Sequence, residues 1–145
     1  MEVRTIGFTR KSAAQFFGAL RAAGIRRLVD VRLQNDSHLA GFARRDDLAF
    51  FLKEICGAEY VHEVRLAPTK EILDGFREKE IAWDEYERRF LALLAERKVE
   101  EVLDRKLFDV PTVLLCSEPK PDRCHRRLVA EYLQAKWGSF TIRHL

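Results

Sequence analysis

The sequence predicts an α/β protein: a three-layer α/β/α arrangement around a mostly parallel, five-stranded, Rossmann-like sheet. Two observations carry this. Strand-like apolar runs alternate with segments of helical periodicity in the order β-α-β-α-β-α-α-β-α-β, and that alternation places parallel strands in the middle with helices on both faces. The chain has 145 residues, 47% of them hydrophobic and 34% charged, enough for one domain over residues 1–145 with a core that needs no staples.

The elements follow in order. Residues 3–8 form an apolar strand. Ser12 caps a helix whose stripe is Phe16, Phe17, Leu20 and Ala23, and Gly24 ends it. Residues 26–31 form a second strand, and the polar residues 34–45, with Gly41, form a loop. Asp46 or Asp47 caps a helix carrying Leu48, Phe51, Leu52 and Ile55, which stops at Gly57. Tyr60, Val61 and Val64 mark a third strand ending near Leu66. Thr69 caps a short helix reaching about Phe76. Residues 83–103 form one long amphipathic helix, with Trp83, Tyr86, Phe90, Leu93, Leu94 and Val102 on its apolar side. Residues 111–116 form the fourth strand. Asp122 starts a helix bearing Leu128, Val129, Tyr132 and Leu133, and residues 139–145 form the last strand.

No apolar run approaches the ~20 residues that span a bilayer, so no membrane association is expected. A strand begins at once, with no signal peptide, and three cysteines without scaffold spacing suit a reducing cytoplasm. The net charge of +3 is unevenly spread. Residues 1–50 hold nine Lys/Arg against five Asp/Glu, residues 51–110 eleven against fifteen, and residues 111–145 six against three. Should the two basic ends meet in the fold, they make one cationic face.

In parallel α/β sheets, ligands bind beyond the carboxyl ends of strands near the point where strand order reverses. That rule nominates three segments. The first is Thr9, Arg10, Lys11 and Ser12, where hydroxyls, cations and a helix N-terminus make an anion site, or else a capped helix with solvated cations. The second is Asp30 and Arg32, which share one side of a strand end. Asp30 can act as acid/base or orienter and Arg32 as an anion fork, or the two form an ion pair that fixes a loop.

The third segment, CSEPKPDRCHRR, runs over residues 116–127. Cys116 ends a strand and is sheltered there. Cys124 lies near a helix N-terminus among Arg123, Arg126 and Arg127, which favours its thiolate. His125 is an acid/base partner for either thiol, and Glu118 is a dipole partner or a general base. Arg126 is a further anion holder. The spacing of Cys116, Cys124 and His125 contains no CxxC pair, and adjacent helical residues diverge by about 100°, so no metal is expected. Counting from Cys116, Asp122 stands where a phosphatase loop needs arginine. With no Gly-rich phosphate loop either, no cofactor is expected.

These motifs together resemble the family catalogued as domain of unknown function 488. They are Thr5-Ile6-Gly7, Asp30-Val31-Arg32 with Ser37 further along its loop, Cys116-Ser117-Glu118, Cys124-His125-Arg126 and Ile142-Arg143-His144. The C-x-E and C-H-R pair is the specific part. The resemblance implies the same fold and a site in which Ser37 joins the ligand-binding residues. This chain has Phe8-Thr9 where commoner members read His-Ser, and lacks their Pro and Gly-Gly signals. Thr9 can replace the serine hydroxyl.

The expectation is therefore an enzyme or enzyme-like domain acting on an anionic small molecule, a nucleotide or modified base. Arg32, Arg126, Thr9 and Ser12 hold the anion, Cys116 or Cys124 is the nucleophile, and Asp30, Glu118 or His125 moves protons. The alternatives are a non-catalytic nucleic-acid or nucleotide binding module and a structural or partner-binding domain. Aromatic residues are not interleaved with the basic ones in sequence, which argues against base stacking. The oligomeric state is not set by anything in the sequence.

Overall fold

Five strands form the centre of the structure, a computed structural model that describes residues 2–36, 41–117, 123–138 and 140–145. They are β1 (Glu2–Gly7), β2 (Arg27–Asp30), β3 (Glu59–His62), β4 (Thr112–Cys116) and β5 (Thr141–His144). Their spatial order is β3-β2-β4-β1-β5, and every pairing is parallel. Gly7 pairs with Cys116 and Asp30 with Leu115, so β1, β2 and β4 end almost level.

Helices cover both faces. On one lie α1 (Ala13–Ala22) and α2 (Arg45–Phe51), the latter running on through a wider turn over Leu52–Cys56. Phe16, Phe17, Leu20, Leu48 and Leu52 pack there against Ile6, Leu28, Val113 and Leu115. On the other lie α3 (Lys70–Arg77), α4 (Trp83–Arg97), α5 (Val99–Val102) and α6 (His125–Trp137). Their Tyr86, Phe90, Leu94, Leu128, Val129 and Leu133 meet Val29, Val31, Leu114 and Cys116. Alternate residues of β4 thus feed opposite cores, as the two-residue period of a strand demands. No helix of the described residues is long and apolar enough to cross a membrane.

The connections β1–β2 and β2–β3 run over the α1/α2 face toward one sheet edge, while β3–β4 and β4–β5 run over the other face toward the opposite edge. Strand order therefore reverses between β1 and β4, and the crevice expected of such a sheet opens above their carboxyl ends. The backbone N–H of Thr9 donates to the Ser117 carbonyl across this point, at 3.0 Å, which holds the two loops together.

Local signals explain most boundaries. The Ser12 hydroxyl accepts from the Gln15 N–H while the Gln15 side chain accepts from the Ser12 N–H, a complete capping box. Thr69 caps α3 through Ile72 N–H. Gly57 ends its helix at φ +60°, a left-handed turn that costs glycine little.

Four expectations need correction. The third strand stops at His62, because Glu63 accepts from Arg65 N–H and turns the chain into a short 3₁₀ helix, Val64–Leu66. The long helix breaks at Lys98, which adopts φ 53°, and α5 sets off in a new direction that buries Val99 and Leu103. Arg44 stands at the cap position of α2, leaving Asp46 and Asp47 in its first turn beside the positive helix end. The last helix begins at His125 with Cys124 at its cap position, and Asp122 lies outside the described residues.

Candidate functional site

Two hollows of about 770 Å³ each open at the carboxyl ends of the strands. They share Arg32, Gln34, Arg77 and Ser117, and so form one crevice straddling the sheet edge. The first reaches down to Cys116, Cys124 and His125 on the α4/α6 side. The second is bordered by Phe8, Thr9, Arg10 and Lys11 on the α1 side.

At the floor of the first hollow, β4 delivers Cys116 and the first residue of α6 delivers His125. Both are buried, and Cys116 Sγ lies 3.3 Å from His125 Nδ1. His125 Nε2 lies 2.7 Å from the Val31 carbonyl oxygen. A carbonyl can only accept, so Nε2 carries the proton. In the neutral ring Nδ1 is then an acceptor aimed at the Cys116 S–H. The edge of the ring also meets Phe90, with centroids 5.5 Å apart and planes at 79°. Backbone and aromatic packing together hold the imidazole with its lone pair on the thiol.

Cys124 behaves differently from the thiolate expected of it. Its thiol is pushed well above the ordinary range, first by burial and then by its contact with Cys116, and these outweigh His125 and Arg126. Arg127 is committed elsewhere, to Glu131 at 2.9 Å. The cationic neighbours anticipated from sequence do not surround this sulfur closely enough to offset its desolvation.

The spacing argument against a metal also fails in three dimensions. Donor atoms of Cys116, Cys124 and His125 all lie within 4.8 Å of one another, and all three residues are buried. Cys124 and His125 stand beside the end of β4, so the gap in sequence is no gap in space. Cys124 has extended backbone angles, φ −134° and ψ 137°, so the divergence of helical neighbours does not apply to it.

On the other side, Asp30 is fully buried and its carboxylate accepts four hydrogen bonds. Oδ1 takes Arg32 N–H at 3.1 Å and Arg32 Nε at 2.8 Å, and Oδ2 takes Arg32 Nη2 at 2.8 Å and Tyr60 Oη at 2.6 Å. Arg32 Nη2 also reaches the Ala43 carbonyl, and the guanidinium lies over the Phe8 ring. Burial opposes the charge of Arg32, but the Asp30 bonds prevail and hold its pKa above the ordinary value. Tyr60 is pushed up by burial and then by Asp30. With its acceptor sites filled, the Asp30 carboxylate holds the Arg32 guanidinium in one orientation. Arg32 borders both hollows.

The remaining nominees divide. Thr9, Arg10 and Lys11 border the second hollow, and Arg10 adopts φ 64°. Lys11 Nζ donates to the Gly7 carbonyl at 2.8 Å, and burial followed by Arg126 lowers its pKa. Ser12 borders neither hollow, since its hydroxyl is occupied in the cap of α1. Arg126 is fully buried, its Nε donates to Thr5 Oγ1 at 3.1 Å, and it borders neither hollow. Glu118 and Ser37 lie outside the described residues.

Reasoning on the sequence missed the aromatic wall. Phe76, Trp83 and Tyr86 line the first hollow beside Arg77, Arg123 and Arg32. Trp83 and Tyr86 stack at 5.0 Å and 18°, and Phe76 meets Trp83 edge-on at 5.5 Å. Aromatic and cationic groups are interleaved in space although not in sequence. Tyr60 and the Val31 carbonyl were also missed; nothing in the order of residues marks either as a partner of Asp30 or His125.

A family model described as "Domain of unknown function DUF488" matches residues 12–133. That stretch contains the D-V-R, C-x-E and C-H-R motifs and leaves the T-I-G segment of β1 and the last strand outside it. No curated protein matches the chain, and no solved structure matches it.

Proposed function

The chain belongs to the family of that domain of unknown function, and from its crevice we propose an enzyme that works on an anionic small molecule carrying a flat ring, a nucleotide or modified base. The observation that carries this is the orientation of His125, with Nε2 on the Val31 carbonyl and Nδ1 on the Cys116 thiol. The thiol satisfies the buried Nδ1, and because Cys116 also lines the crevice, the same contact sets a base on a reachable nucleophile. A histidine that takes a proton from a nucleophile needs that arrangement.

The roles follow from position. Cys116 sulfur bonds to the electrophilic atom as its proton passes to His125 Nδ1. The bond from that atom to its leaving group breaks, and the leaving group takes the proton from the imidazolium, whose other N–H stays on the Val31 carbonyl. Water then cleaves the bond to sulfur, giving one proton to the thiolate through His125. Arg32, stiffened by Asp30, faces the anionic group, with Arg77 and Arg123 on the same walls. Trp83 and Phe76 offer a surface for the ring. The second reading, a non-catalytic nucleotide-binding module, draws on the same aromatic wall and arginines and leaves the Cys116–His125 pair without a purpose.

The test is ligand protection of Cys116. Adenosine monophosphate, adenosine and inorganic phosphate are titrated separately while iodoacetamide labelling of each cysteine is followed by mass spectrometry. The nucleotide protects Cys116 at lower concentration than either of its parts. Equal labelling with and without all three compounds contradicts the assignment of the crevice.

A further inference from the structure

We infer that Cys116, Cys124 and His125 form a binding site for one zinc-class divalent cation, with the fourth coordination position open to the crevice. This goes beyond the thiol chemistry above. Only its consequence for that chemistry, stated below, rests on that reading.

Two thiols and an imidazole are the set that selects zinc over magnesium or calcium, whose preference is oxygen. A tetrahedral zinc with bonds of about 2.3 Å to sulfur and about 2.0 Å to nitrogen sets ligand separations of roughly 3.5–3.8 Å. The Cys116 Sγ to His125 Nδ1 distance is 3.3 Å, and all three donor atoms lie within 4.8 Å of one another. The widest pair therefore closes by roughly 1.3 Å at most, within reach of side-chain rotation. His125 already donates its other N–H to the Val31 carbonyl, the arrangement that fixes the tautomer and direction of a metal-bound histidine.

Charge supports the same assignment. Binding expels one proton from each thiol, so a 2+ ion enters with two thiolates and the buried floor gains no net charge. Among the described residues no fourth His, Cys, Asp or Glu joins the group, and all three ligands line the first hollow. A three-ligand site facing a cavity keeps a position for water or ligand. Cys124 gains a role in this arrangement that the Cys116–His125 pair alone does not give it. With an ion bound, the His125 lone pair would be held in the metal bond and Cys116 would carry no proton for it to take, so metal occupancy would remove the acid/base pairing and lower the reactivity of the Cys116 sulfur.

The experiment uses metal alone. Metal-free protein, kept reduced with a phosphine, is titrated with Co²⁺ and followed by visible and near-ultraviolet absorption, then back-titrated with Zn²⁺. We expect one equivalent of Co²⁺ to give the intense ligand-field bands of tetrahedral cobalt with thiolate charge transfer, and Zn²⁺ to displace it. Cys124→Ser, a near-isosteric change, weakens binding by at least about tenfold, and Cys116→Ser/Cys124→Ser abolishes the charge-transfer band. Absence of a tetrahedral thiolate spectrum at one equivalent, or its survival in the double variant, overturns the site. Zinc must also slow iodoacetamide labelling of Cys116 and Cys124 while leaving Cys56 unchanged; unprotected Cys116 overturns the ligand set. No nucleotide enters these measurements, so their failure leaves the proposed reaction standing, and failed nucleotide protection leaves the metal site standing.

Discussion

Replacing Asp30 with asparagine tests whether the carboxylate is a structural anchor. Asp30 is fully buried and accepts four hydrogen bonds, three of them from Arg32, itself only 7% exposed. The amide removes the charge that compensates Arg32 and turns one acceptor into a donor facing other donors. Breaking a buried pair from one side costs about 3–5 kcal/mol, a large part of a total stability of roughly 5–15 kcal/mol. For a chain of this size that lowers Tm by roughly 10–20 °C. Urea melts followed by far-ultraviolet circular dichroism give the difference directly. Removing both charges in Asp30→Asn/Arg32→Met recovers part of the loss, because no uncompensated guanidinium stays buried. A loss below ~1 kcal/mol, the scale of an exposed pair, refutes the anchoring role. A variant of normal stability that binds but no longer reacts restores Asp30 as a proton carrier.

Other substitutions check other steps. Ser12→Ala lowers stability by about 1 kcal/mol through loss of the α1 cap and leaves nucleotide protection of Cys116 unchanged, as labelling will show. Lys98→Gly raises the urea midpoint, corresponding to about 0.5–1 kcal/mol, because the left-handed turn between α4 and α5 strains a side-chain-bearing residue. Trp83→Leu keeps apolar bulk but removes the flat ring, and weakens protection by adenosine monophosphate by about tenfold if the base stacks there.

Much of the fold could be read from local signals because those signals act locally. The Ser12 capping box, the Thr69 cap and the left-handed Gly57 each decide a boundary within a few residues of themselves. Lys98 was missed because no sequence mark distinguishes a left-handed lysine from a helical one; the turn is imposed by the burial of Val99 and Leu103 against the rest of the core. At the site, strand ends pointed to Arg32 and Cys116, which line the crevice, and to Asp30, which lies buried against Arg32 and lines neither hollow. Which cysteine faces the base was not legible. Cys124 stands among arginines in sequence, yet burial and Cys116 govern its thiol, and Cys116 meets His125 only because α6 returns over β4. Phe76, Trp83 and Tyr86 sit on two helices far along the chain from Cys116, and only the packing of those helices on the sheet makes them a wall.

The most direct test of the central claim compares labelling of Cys116 by iodoacetamide, resolved by cysteine, in the metal-free chain and in His125→Gln. Glutamine can keep an N–H toward the Val31 carbonyl but offers no ring lone pair to the thiol. The account predicts that Cys116 reacts ahead of Cys124 and Cys56 in the unaltered chain, and that its rate falls by about a hundredfold in the variant. Equal rates in the two proteins, or Cys124 reacting first, would contradict it.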